Sequence, residues 1–368
     1  MTAHGNWAEA WKQMIDGEQG AEQKNIPFVQ WSERQRKILE VITKAEPEMG
    51  LTPKEIIWRK NKSKLYHFTP VDAKVTKKTP ILMVYAMINK PYILDVEPGN
   101  SFVEYLLQDG FDVYMLDWGD AGIEDSHNGF AEYILDYLAK AVERVCLHSG
   151  QESINLFSYC MGGTMGTMYT TLFPERVKNL VVLAAPIDFR HAVLYNKWLD
   201  EKYFDVDKVV ETFGNVPAHM IDLGNKMLKP MSNFINPWVQ LYEKVDNEKF
   251  VHNWRLINKW VNDGTDFPGQ TYREWIRDFY QQNKLIKGEI VLRGRRVDLS
   301  RIECPVLIVT AEHDHIAPCD QTRALFDYIS STDKQENNYP VGHVSLVFGG
   351  TAKKRVYPDT SAWLAARD

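Results

Sequence analysis

From about residue 64 onward, short apolar runs alternate with stretches whose apolar positions recur every three to four residues. That is the pattern of strands and covering helices in a parallel sheet buried on both faces. Strands are predicted at Ile81–Ile88, Phe111–Asp117, Ile154–Tyr159, Leu180–Ala185 and Val306–Thr310, with a last strand just before Gly342. Between the second and third, Phe130, Tyr133, Ile134, Tyr137, Leu138, Ala141 and Val145 form a helical stripe. The alternation stops after Pro186, and up to about residue 300 the chain reads as helical and aromatic, with Trp198, Trp238, Trp254, Trp260 and Trp275. Such an insertion between the later strands predicts a lid over a site at the strands' C-terminal ends, although the tryptophans serve equally as its own core. Near the start, Trp7, Trp11 and Met14 share one helical face, read as packing on the protein's own body in preference to docking a partner. The predicted organisation is an N-terminal helical segment over 1–63, a first part of an α/β core over 64–186, a lid over 187–300 and a second core part over 301–368.

At 368 residues the chain has room for one large α/β unit with an insertion, or two closely packed domains. A net charge of −6 argues against nucleic acid as the main partner, because phosphate binding wants a basic footprint. The first residues lack the basic, apolar, small-residue order of a secretory signal, and no apolar run approaches the roughly 20 residues that span a bilayer. A cytoplasmic protein with reduced thiols is expected, since its four cysteines form no C-x-x-C pair.

The most informative segment is INLFSYCMGGTMGTMYT, Ile154 to Thr170: an apolar strand, a small-residue turn around Cys160, then a helix-compatible run. This is the setting of a nucleophile elbow, the strained strand-to-helix turn of an α/β-hydrolase fold, which needs small residues two before and two after the nucleophile. Ser158 and Gly162 occupy those positions, serine replacing the usual first glycine. A thiol at a helix start is favoured as thiolate by the dipole, and the Met161 N–H is placed to donate to an oxyanion. A second donor is expected from the loop after the first predicted strand, around Tyr85 to Met87, with Met87 as the candidate.

The triad order nucleophile, acid, histidine continues downstream. Asp314 follows the strand CPVLIVT, and His343 follows a short extended segment 29 residues later. His313 and His315 compete as base but precede the last strand; Asp320 and Glu312 compete as acid. His313, His315 and Cys319 carry a metal-ligand flavour, but no fourth ligand has regular spacing and no metal is expected. Tyr85, Met87, Trp118, Trp260 and Asp263 are pocket candidates that packing explains equally well. With a cysteine nucleophile, an acyl thioester substrate becomes an acyl thioester enzyme at little energetic cost, which remains reactive toward a hydroxyl acceptor if water is excluded.

The stretches LTPKEIIWRKNKSKLYHF, INKPYILDVEPGNSFVEYLLQDGFDVYMLDWG, SYCMGGTMGT, LVVLAAPIDF, WVNDGTDFPGQTY, AEHDHIAP and VGHVSLVFG resemble the short polyhydroxyalkanoate synthase catalytic subunits of the two-subunit classes, III and IV. The resemblance covers most of residues 50 to 350. It implies an acyltransferase that polymerises (R)-3-hydroxyacyl-CoA, 3-hydroxybutyryl-CoA foremost, into polyester on Cys160 with release of CoA. It implies that His343 activates the thiol and Asp314 assists the incoming hydroxyl. A homodimer, a small non-catalytic partner subunit, residence on polyester granules and no permanently bound cofactor are implied too. The rival enzyme is a cysteine hydrolase of the same fold, thioesterase-like or dienelactone-hydrolase-like; the rival non-enzyme is a silent granule scaffold.

Overall fold

A computed structural model describes residues 33–71 and 73–368. The Trp7, Trp11 and Met14 face lies outside them. Its centre is an eight-stranded sheet made of β1 (Lys54–Lys60), β2 (Ser63–Phe68), β3 (Ile81–Val84), β4 (Val113–Asp117), β5 (Ile154–Tyr159), β6 (Val177–Leu183), β7 (Val306–Ala311) and β8 (Lys334–Tyr339), in spatial order β1-β2-β4-β3-β5-β6-β7-β8. The β1–β2 hairpin and the β2–β4 pair are antiparallel, and every pair from β4 to β8 is parallel. Every residue of the central strands β3, β5 and β7 is buried, which is why they read as mainly apolar runs without polar alternation, interrupted only by Asn155, Ser158 and Thr310.

Helices α1 (Phe102–Gln108), α2 (Ala139–Ser149) and α3 (Met161–Leu172) connect successive strands. Ser101 caps α1 by accepting the Glu104 N–H at 2.9 Å, and Gly150 closes α2 in the left-handed conformation, φ 71°. The predicted stripe from Phe130 to Val145 is a continuous helical run ending in α2, with the seven stripe residues buried.

The boundaries at the N-terminal end need correction. Residues 54–60, assigned to a helical segment, form the sheet's first strand, and its hairpin partner β2 turns on Asn61, whose φ of 51° suits a tight two-residue connection. KEIIWRK hides the strand because an edge position leaves both faces partly wet, so no clean alternation develops. The residues after Pro186 are mainly helical down to Lys287, as expected, but they do not form one body. Residues 187–230 and 260–300 belong to the unit that holds the sheet, Glu48–Pro230 with Trp260–Asp368. Met231–Lys259 fall in a second unit with the described residues 33–47. Within that second unit Trp238 and Trp254 pack edge to face at 5.2 Å, and Lys37 pairs with Asp246 at 2.7 Å.

Candidate active site

The strand β5 delivers Cys160 to the tip of a sharp turn. Its φ of 58° with ψ of −135° is a conformation that non-glycine residues rarely adopt, and the turn is held by Cys160 N–H to Leu183 O at 2.9 Å and Gly163 N–H to Cys160 O at 2.8 Å. Met161 opens α3, so first-turn N–H groups without intrahelical acceptors gather beside the sulfur. The turn is feasible only because α3 approaches β3 closely: a Cβ on Gly162 would lie 2.5 Å from the Val84 carbonyl oxygen. Gly162→Ala is therefore expected to cost about 2 kcal/mol of stability through overpacking and to lower activity with it. Denaturant midpoints of the two chains check this, and an unchanged midpoint would show that the turn tolerates a side chain there.

Serine in place of the first elbow glycine is accommodated. Ser158 is fully buried, its hydroxyl donates to Val181 O at 2.7 Å, and Gly166 one turn into α3 leaves the space, since a Cβ there would sit 3.0 Å from Ser158 Cβ.

Asp314 and His343 meet on the loops that follow β7 and β8. His343 Nδ1 and Asp314 Oδ2 are 2.6 Å apart, and Asp314 Oδ1 accepts the N–H groups of Ile316 and Ala317 at 2.8 and 2.9 Å. Both side chains are buried, so each carboxylate oxygen is committed within the protein. Burial works against charge on the His343 ring, yet the Asp314 carboxylate and the neighbouring Cys160 sulfur outweigh it and raise the histidine from 6.5 to about 10. The ring also stacks on Tyr159 at 5.1 Å, which stacks on Tyr85 at 5.1 Å. This positioning column was not legible in the sequence.

Cys160 and Met161 line a cavity of about 290 Å³, together with Ile88, Pro186, Ile316 and Ala317 of the core and Tyr195, Trp198, Phe204, Phe267, Tyr272, Trp275 and Tyr280 of the insertion. The aromatic insertion thus walls the cavity, with Trp198 and Trp275 as predicted. Trp260 instead packs near Tyr85 at 6.4 Å and donates its indole N–H to Lys90 O at 3.0 Å. Burial, with a smaller push from Cys160, raises the phenols of Tyr195 and Tyr280, so both stay neutral hydroxyls.

The remaining candidates separate cleanly. Met87 borders a different, small cavity and its carbonyl accepts the Thr265 hydroxyl at 2.5 Å; its neighbour Ile88 is the residue of that loop that reaches the Cys160 cavity. Trp118 donates its indole N–H to Tyr85 O at 2.8 Å, and Asp263 binds the Tyr92 hydroxyl. His313 is tied through its backbone N–H to Val341 O at 2.9 Å. The Arg323 guanidinium lies 2.8 Å from Asp320, away from His343's partner Asp314.

A family model of the alpha/beta hydrolase fold matches residues 79–349, and one described as the N-terminus of poly-beta-hydroxybutyrate polymerase (PhaC) matches residues 42–106. Three similar proteins are each named poly(3-hydroxyalkanoate) polymerase subunit PhaC. The Haloferax mediterranei protein is 40% identical over 88% of this chain and 66% of its own length. The Synechocystis protein is 36% identical over 89% and 88%, and that of Allochromatium vinosum 35% over 87% and 90%. Among solved structures, a candidate lipase from Sulfolobus solfataricus aligns with a TM-score of 0.53 at 15% identity, covering 83% of this chain and 90% of that one. That likeness establishes the fold.

Proposed function

This chain belongs to the PhaC polymerase family, and on that premise we propose that it polymerises (R)-3-hydroxyacyl-CoA, 3-hydroxybutyryl-CoA foremost, into polyester through a thioester on Cys160. The observation that carries the reading is a cysteine at a strained turn that lines an aromatic-walled cavity, with the His343 ring of a buried Asp–His pair beside its sulfur.

Cys160 works as the thiolate of an ion pair with His343. It attacks the acyl-CoA carbonyl, the bond to the CoA sulfur breaks, and that sulfur takes the proton from His343. The developing oxyanion is stabilised by backbone N–H groups, Met161 on one side and the segment at Met87 and Ile88 on the other. Acylation removes the charge on the Cys160 sulfur, one of the two influences holding the proton on His343, and burial then favours the neutral ring. The histidine is thereby converted from acid to base. It takes the proton of an incoming 3-hydroxyl as that oxygen attacks the thioester, which forms the ester and frees the thiolate. Asp314 acts through His343 instead of meeting the hydroxyl itself, because both its oxygens already have partners.

The apolar cavity keeps water from competing with the hydroxyl. A homodimer, a small non-catalytic partner subunit and a cytoplasmic place at the surface of polyester granules complete the proposal; no permanently bound cofactor takes part in this chemistry. No described helix is long and apolar enough to cross a membrane.

Thiol release from (R)-3-hydroxybutyryl-CoA, with and without a co-expressed partner subunit, tests it together with analysis of the acyl product. Insoluble polyester that requires Cys160 is the expected result. Free acid alone, with the partner present, would move the chain to a thioesterase-like hydrolase of the same fold.

A further inference from the structure

Far from Cys160 in the strand order, the β1–β2 hairpin and β4 share a cluster of polar side chains with the end of α2. A carboxylate oxygen of Glu55 and one ring nitrogen each from His67 and His148 lie within 4.8 Å of one another, the only such convergence of three His, Cys, Asp or Glu ligand atoms among the described residues. Their neighbours settle which nitrogens carry protons. His67 Nε2 lies 2.8 Å from Asp112 Oδ1, and a carboxylate can only accept, so Nε2 carries the hydrogen. The Tyr114 hydroxyl donates to Asp112 Oδ2 at 2.7 Å, which spends its single proton. It must therefore accept from His148 Nδ1, 2.8 Å away, leaving the lone pair of His148 on Nε2. One carboxylate thus orients both imidazoles, directly for His67 and through Tyr114 for His148. This is the outer-shell arrangement that metal-binding histidines characteristically have.

We propose that Glu55, His67 and His148 form a site for a divalent transition-metal cation of the zinc type, bound through His67 Nδ1, His148 Nε2 and a Glu55 oxygen. His67 Nδ1 and Glu55 Oε1 are 3.4 Å apart. A tetrahedral ion with bonds of about 2.0–2.1 Å holds adjacent ligand atoms about 3.3 Å apart, so this pair is already at ligand spacing. Two imidazoles and one carboxylate favour zinc, nickel or copper over magnesium or calcium, and three protein ligands leave a position for water. Glu55 and His148 are exposed and His67 half-buried, so the ion has access from solvent. The bound ion clasps the first hairpin of the sheet to α2, which makes its role structural and leaves the Cys160 chemistry untouched.

The test uses the full, tag-free chain carrying Cys160→Ala, which removes the sulfur most able to compete for the ion. Calorimetric titration with Zn²⁺ is expected to show one equivalent bound at micromolar Kd or tighter, with a higher Tm in its presence. Adding His148→Ala, at an exposed position, is expected to weaken binding at least tenfold and abolish the Tm rise. Co²⁺ in place of Zn²⁺ is expected to give visible d–d bands without thiolate charge transfer. Equal zinc affinity with and without His148, no stoichiometric binding, or a thiolate band placing the ion on a cysteine would each overturn the site. The readouts need no polymerase activity, so they stand apart from the proposed function.

Discussion

Cys160→Ser is expected to release CoA from (R)-3-hydroxybutyryl-CoA roughly a thousandfold or more slowly than the native chain, in protein that folds normally. The two side chains differ by one atom, and the smaller hydroxyl leaves the backbone of the elbow, with φ 58° at Cys160, without a new clash. The difference is acid strength. A thiol with an ordinary pKa of about 8.5 ionises beside an imidazolium at neutral pH, whereas an alcohol must lose its proton during the attack itself. His343, raised to about 10 partly by the Cys160 sulfur itself, is a strong partner for a thiolate, and the serine chain loses that pre-formed partnership. Pre-steady-state thiol release, with thermal unfolding as the folding control, measures the effect. A serine chain with native turnover would remove the ion pair from the mechanism.

Asp314→Asn is expected to lower turnover by on the order of 10⁴-fold, the scale seen when a triad histidine loses its orienting carboxylate. Because Asp314 reaches the chemistry only through the His343 ring, first CoA release and chain growth should both slow. Slowing of chain growth alone would instead assign Asp314 a direct contact with the incoming hydroxyl, as the family resemblance implied. The pH dependence gives a second readout with a definite sign. Burial already favours the neutral ring, and Asp314 is the leading influence that opposes it, so losing the carboxylate lowers the His343 pKa. In the native chain the imidazolium should persist until the pH nears 10, and the alkaline limb of CoA release should lie there. In the Asn chain that limb moves toward neutrality. Imidazole proton resonances followed by NMR against pH check the shift, and an unmoved His343 titration would deny Asp314 its electrostatic part.

What could be read from the amino acids follows the reach of local physics. β5 is legible from Ile154 to Tyr159 because a strand buried on both faces is mostly apolar, and the elbow because a strained turn demands small neighbours that leave a visible pattern. Asp314 and His343 were found by chain order, which this fold preserves, and they are hydrogen-bonded to one another. β8, KQENNY, was located only by its place before Gly342. It is a polar edge strand with one fully buried residue, so its composition does not announce it. The hairpin β1–β2 was missed for the related reason that an edge strand half-exposed on both faces has no period to detect.

The sequence by itself placed the strands from Ile81 onward, the thiol at a strand-to-helix turn, and Asp314 and His343 in the segments after β7 and β8, because each is marked by residues close together in the chain. Tertiary structure alone decided the rest. It placed Ile88, in preference to Met87, at the cavity of Cys160, and let Gly166 make room for Ser158. It stacked Tyr85 and Tyr159 behind His343, put Trp198 and Trp275 on the cavity wall and Trp260 near Tyr85, and left Trp238 and Trp254 to a separate helical unit. It also drew His148 of α2 to Glu55 and His67, which face each other across the β1–β2 hairpin. The physical reason is common to all of these: contacts across a sheet, or between a helix and a remote strand, are set by the packing of surfaces, and no local periodicity records which surfaces will meet.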